Sequence, residues 1–136
     1  MTAATPTAQP AWMTWTGRVL SALPVLMMAM GVASIFFNRA AATQGMAKFG
    51  WQEGALTLIL ALEIGSALVY IFPRTAVLGA ILMTGFFGGA IVTHLRVGDP
   101  GWPLALVCGI LVWLGLYLRD PRLRALLPLR RPQITQ

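Results

Sequence analysis

The fold class this sequence predicts is all-α: a polytopic membrane four-helix bundle with both termini on the cytoplasmic side. Three observations predict it. The 136-residue chain is 57% hydrophobic and only 10% charged, with a mean hydropathy of +0.74, whereas soluble domains carry about 25% charged residues. The apolar residues gather into four runs, each near the roughly 20 residues that cross a bilayer. The basic residues divide unevenly between the two sides those runs define, and the richer side is expected in the cytoplasm.

Residues 1–14 predict a disordered N-terminal tail, rich in Thr, Ala, Gln and Pro through Pro10. No basic segment precedes a short apolar core there, so the start does not read as a cleaved leader. The spanning unit is predicted over residues 15–120. Its first span covers 19–37, preceded by Trp12 and Trp15, which suit an interfacial belt. Pro24 falls inside it, which a membrane helix tolerates with a kink. Residues 38–52 form the longest connection. Met46, Phe49 and Trp51 suggest that it lies on the membrane surface or caps the bundle.

The second span, 54–72, carries Glu63 in its middle and stops at Pro73 and Arg74. Thr75 is placed to cap the third span, 76–94. Pro100 and Gly101 make a turn, and Pro103 opens the fourth span, 103–118, where its missing N–H costs nothing. Residues 121–136 read as a basic cytoplasmic tail. Arg18, Arg74 and the five arginines from Arg119 onward share one side, against Arg39, Lys48 and Arg96 on the other. In the third span Gly85 and Gly89 form a GxxxG, and Gly88 continues a second row from Ala80 and Thr84. Small rows let helices approach closely in lipid, so these glycines predict helix packing.

Several function classes are excluded or disfavoured. The net charge of +6 sits largely in the C-terminal tail and is not interleaved with aromatics, so it reads as attraction to anionic lipid and not to nucleic acid. Cys108 is the one cysteine, so no intramolecular dithiol relay exists in the chain. One His, one Cys and four acids without ligand spacing predict no metal. No duplicated halves are visible, which disfavours a transporter.

A carboxylate at bilayer depth costs roughly 2.5–3.5 kcal/mol on insertion scales, so Glu63 is paired, protonated or used. Helical rise puts Glu53 about 15 Å from Glu63, at the outer interface, level with His94 and Arg96 at the end of the third span. Tyr70 lies about 20° from Glu63 around the helix, and Glu53 about 80°. Thr84, near the midplane, is the expected hydrogen-bond partner of Glu63. In one reading Glu63 lines a pocket and holds a ligand or moves a proton; in the other it glues two helices. His94 reads either as a proton relay or quinone ligand at the mouth, or as a helix-end histidine favoured by the dipole.

Three stretches resemble the DoxX-like family of small bacterial membrane proteins. They are IFPRTAVLGAILMTGFFGGAIVTHLRVGDP from Ile71, LILALEIGSALVY around Glu63, and GLYLRDPRLRALLPLR from Gly115. The resemblance implies a four-helix bundle in the bacterial inner membrane and an association with redox biology, since some relatives belong to quinone-reducing sulfur oxidation systems. The positions it carries over are Glu63 and Thr93 to Arg96. The expected function is therefore a subunit of a redox-linked membrane system without independent catalysis. It would bind a quinone or other lipid-like ligand through Glu63, His94, Arg96, Glu53, Thr84 and Tyr70. The competing expectation is a non-catalytic assembly protein. Membrane lipid, a membrane or redox protein and a second copy of the chain are the expected partners.

Overall fold

The apolar runs and their polar breaks become six helices in the computed structural model, which describes residues 10–52 and 54–126. They are α1 (Ala11–Phe37), α2 (Arg39–Lys48), α3 (Ala55–Ile71), α4 (Ala76–Arg96), α5 (Trp102–Arg119) and α6 (Pro121–Leu126). No strand occurs among the described residues. α1, α4 and α5 are long and apolar enough to cross a membrane. At 17 residues α3 is shorter, near the lower end of the spanning range.

Several boundaries differ from the sequence reading. α1 begins at Ala11, so the last four residues of the expected tail are helical. It runs unbroken through Pro24, which is buried. The connection 38–52 holds a ten-residue helix, capped at its start by Asn38, whose Oδ1 accepts from the Ala41 N–H at 3.0 Å. Thr75 does not cap α4. Its hydroxyl donates backward to the Val69 carbonyl at 2.7 Å, tying the end of α3 to the turn. Pro103 is the second residue of α5, still within the turn whose N–H groups lack partners. The proposed tail contributes α6 through Leu126, and residues 127–136 lie outside the described residues.

The helices pack in the order α3, α4, α5, α1, and α1 touches α3 only along a thinner seam. Lipid tails are as apolar as leucine, so helices in a membrane associate through close packing and hydrogen bonds. Both are visible. Gly17 of α1 faces the Gly115 carbonyl of α5, and a methyl on Gly115 would come within 2.7 Å of the Ser21 backbone nitrogen. Gly79 of α4 lies directly on the backbone of Tyr70. Tyr70 is itself fully buried. Its hydroxyl donates to the Val112 carbonyl at 2.8 Å and lies 2.9 Å from Ser21 Oγ, so one side chain links α3, α5 and α1. Arg119 closes this end: its guanidinium sits 4.7 Å from the Tyr70 ring centre and donates to the Tyr70 carbonyl.

Outward, the helices present Val19, Leu23, Leu26 and Met30 on α1, Leu58 and Leu62 on α3, and Ile81, Leu82 and Val92 on α4. So much apolar surface around the waist suits lipid as the surrounding solvent.

Candidate functional site

Two local backbone motifs build the end of the molecule opposite Tyr70. α4 ends with Gly98 at φ +70°, where the Asp99 N–H bonds back to the His94 carbonyl and the Gly98 N–H to Leu95. α2 ends the same way at Gly50, φ +72°, with the Trp51 N–H on the Met46 carbonyl and the Gly50 N–H on Ala47. Both are Schellman closures, whose left-handed residue glycine adopts without strain.

The α4 closure folds Asp99 back beneath its own helix. Its Oδ1 lies 2.7 Å from His94 Nδ1 and accepts the Gly101 N–H at 2.8 Å. The Gly101 backbone N–H, and then the hydrogen bond from His94, hold the Asp99 carboxyl below the usual range for an aspartate. An ionised carboxylate can only accept, so Nδ1 of His94 carries a proton. In the neutral imidazole Nε2 is then left as an acceptor. The α2 closure supplies the other wall. The Phe49 ring meets the His94 ring edge-on, with centres 4.9 Å apart. Arg96 Nη2 donates to the Phe49 carbonyl and so fastens the loop after α2 to the end of α4.

Below this rim runs a groove of about 1090 Å³ between α3 and α4. Leu62, Gly65, Ser66 and Val69 form its α3 wall, and Ile81, Gly85, Phe86, Gly88 and Gly89 its α4 wall; Phe49, Trp51 and His94 stand at the top. The volume is that of a small-molecule site; Thr93 and His94 stand at the top of an otherwise apolar slot, and Ser66, farther down the α3 wall, donates its hydroxyl to the Glu63 carbonyl.

The expected glycine packing is corrected here. A methyl built on Gly85, Gly88 or Gly89 meets nothing within 4 Å. These glycines do not seat a neighbouring helix; they hollow the groove. The glycines that do bring backbones together are Gly17, Gly79 and Gly115.

The other expected site residues separate. His94 and Arg96 are together at the mouth. Glu53 lies outside the described residues. Glu63 does not line the groove; it is buried toward α1, where its Oε1 faces Gly31. Thr84 is not its partner. The Thr84 hydroxyl donates to the Ala80 carbonyl at 2.7 Å and accepts the Trp113 indole N–H at 2.8 Å, beside a second cavity of about 690 Å³ between α4 and α5. Tyr70 shares the Glu63 face of α3 as expected, but its hydroxyl is consumed within the core. Asp99 and Phe49 are the residues whose site role the sequence reading missed. Their one signal was the glycine five residues after His94's neighbour Thr93, which permits the fold-back.

Among the described residues no group of three His, Cys, Asp or Glu side chains is placed to hold a metal. Cys108 is buried, its thiol 3.2 Å from Met27 Sδ.

The profile of the DoxX-like family matches residues 19–115 of the chain. That range covers α1 to α5 as far as Gly115 and includes both the groove and Glu63. Comparisons with curated proteins and with solved structures gave no match.

Proposed function

The chain belongs to the DoxX-like family, and on that premise we propose that it binds a quinone, or a lipid of quinone-like shape, in the groove between α3 and α4. It does so as a multi-pass protein of the bacterial inner membrane. In this reading α3 is a fourth crossing, about 26 Å long at 1.5 Å per residue, and completes a four-helix bundle. Both termini face the cytoplasm, because Arg18, Arg74, Arg119, Arg122 and Arg124 outnumber Arg39, Lys48 and Arg96 across the apolar waist.

The observation that carries the reading is the pairing of an apolar slot with one oriented imidazole at its polar end. The slot takes an isoprenoid tail from the lipid side. His94 meets the head group, with Nε2 accepting from a hydroxyl of the reduced form, or donating to a carbonyl when the ring is protonated. Asp99 holds the ring, and Arg96 holds the loop that closes over it. A bound quinone would supply the electron chemistry. The described residues supply orientation and hydrogen bonding, so a partner redox protein would deliver or remove electrons.

The test is ligand-dependent stabilisation of the purified chain in lipid nanodiscs. A short-chain quinone is expected to raise the melting temperature of the wild type, and His94→Ala and Gly88→Leu are expected to abolish that rise. No rise in the wild type would end the proposal.

A further inference from the structure

We infer that Glu63 is a proton-binding site within the membrane, opening on the seam between α1 and α3 at Gly31. The inference stands apart from the quinone groove, whose lining does not include Glu63.

Glu63 is the midpoint of α3, eight residues from either end, or about 12 Å from each. It is 8% exposed. Its Oε1 reaches α1 where that helix has no side chain: a methyl on Gly31 would lie 2.9 Å from it. The Gly31 carbonyl already accepts the Ser34 hydroxyl at 2.7 Å. Among the described residues no group forms a hydrogen bond or ion pair with the Glu63 carboxyl.

The surrounding charged and titratable groups are placed or engaged elsewhere. On α1, Arg18 stacks on Trp15 near the other end of the helix. On α3, Tyr70 is held by Ser21 and Val112. On α4, His94 and Arg96 are bound at the mouth. On α5, Cys108 contacts Met27, Arg119 covers Tyr70, and Tyr117 lines the second cavity.

An isolated carboxylate in this setting lacks both water and a counter-charge, and the cost falls when the group is neutral. A hard metal cation requires six or more oxygens, and among the described residues no group of three His, Cys, Asp or Glu side chains is placed to hold one. A proton requires one oxygen and no extra volume. The α1–α3 contact is thinner than the α1–α5, α4–α5 and α3–α4 contacts. Small separations there expose the carboxyl, so the proton exchanges through this seam.

The test uses the full chain in nanodiscs and N,N′-dicyclohexylcarbodiimide, an apolar reagent that reacts with neutral carboxylic acids. The carboxyl proton passes to one carbodiimide nitrogen while the carboxyl oxygen bonds to the central carbon. The resulting O-acylisourea rearranges to a stable N-acylurea, with nothing oxidised or reduced. We expect a single adduct, mapped to Glu63 in the wild type by peptide mass spectrometry, with a rate that falls as pH rises. Glu63→Gln should lose the adduct, and Gly31→Ala should change its rate by displacing the carboxyl. A wild-type chain labelled only on other acids, or a rate independent of pH, would overturn the proton site. An unchanged rate in Gly31→Ala would overturn its placement. Quinone stabilisation of the same preparation reports separately on the groove.

Discussion

The α1–α5 seam and the α3–α4 groove use the same residue to opposite ends. At the seam, Gly17 and Gly115 let two backbones touch, and any Cβ on Gly115 strikes Ser21. In the groove, Gly85, Gly88 and Gly89 face open space. The lesson is that a row of small residues specifies a concave helix face and not what fills it. A neighbouring helix fills one face. The other is left as a slot beneath His94.

Substitutions at the two faces should separate them sharply. The largest effect is expected from Gly115→Val and Gly79→Val. Each forces side-chain atoms into backbone that has no room to shift, and overpacking of this kind typically costs about 1–3 kcal/mol or more. Unfolding in a mild-to-harsh detergent series should show both variants collapsing early. Wild-type-like midpoints would mean that the seam is looser than described. Tyr70→Phe comes next. It removes the hydroxyl shared by Val112 and Ser21, for a loss of about 1 kcal/mol, since hydrogen bonds between membrane helices average less than that and two partners are affected.

Alanine at Gly85, Gly88 or Gly89 should be near neutral. A helical Gly→Ala change gains at most about 1 kcal/mol and meets no obstacle here. A large loss at any of these three would show that the groove is closed by something packed against it. Gly88→Leu carries the same comparison into binding: the fold should persist while quinone stabilisation disappears.

The smallest effect is a pH dependence at the mouth. The folded state lowers the Asp99 carboxyl below its ordinary value. Its contribution is therefore fully present above the unfolded value, about pH 4, and is lost as pH falls through the lower folded one. His94 is the one histidine in the chain, so nitrogen NMR reads it without ambiguity. The Nδ1–H signal should persist at pH 5 in the wild type and broaden in Asp99→Ala. Identical spectra would remove Asp99 as the positioning group.

Much of this architecture is legible in residue order alone. Hydropathy marks α1, α4 and α5, and the burial of Glu63 follows from its place in an apolar run. The common face of Glu63 and Tyr70 follows from helical spacing. What was not legible depends on contacts distant in sequence. Trp113 takes the Thr84 hydroxyl from 29 residues away. Arg39 to Lys48 has no apolar stripe and buries no residue, so nothing in its pattern announces a helix beyond the Asn38 cap. The His94–Asp99 pair depends on a single positive φ at Gly98. The Gly85 row reads alike whether a helix or a ligand covers it.

Photolabelling with a quinone that carries a reactive group on its tail tests the central claim most directly. The account predicts saturable adducts on α3 between residues 59 and 69 and on α4 between residues 81 and 94, suppressed by excess unlabelled quinone and lost in Gly88→Leu. Saturable adducts confined to α1 or α5, or labelling that excess quinone does not suppress, would contradict it.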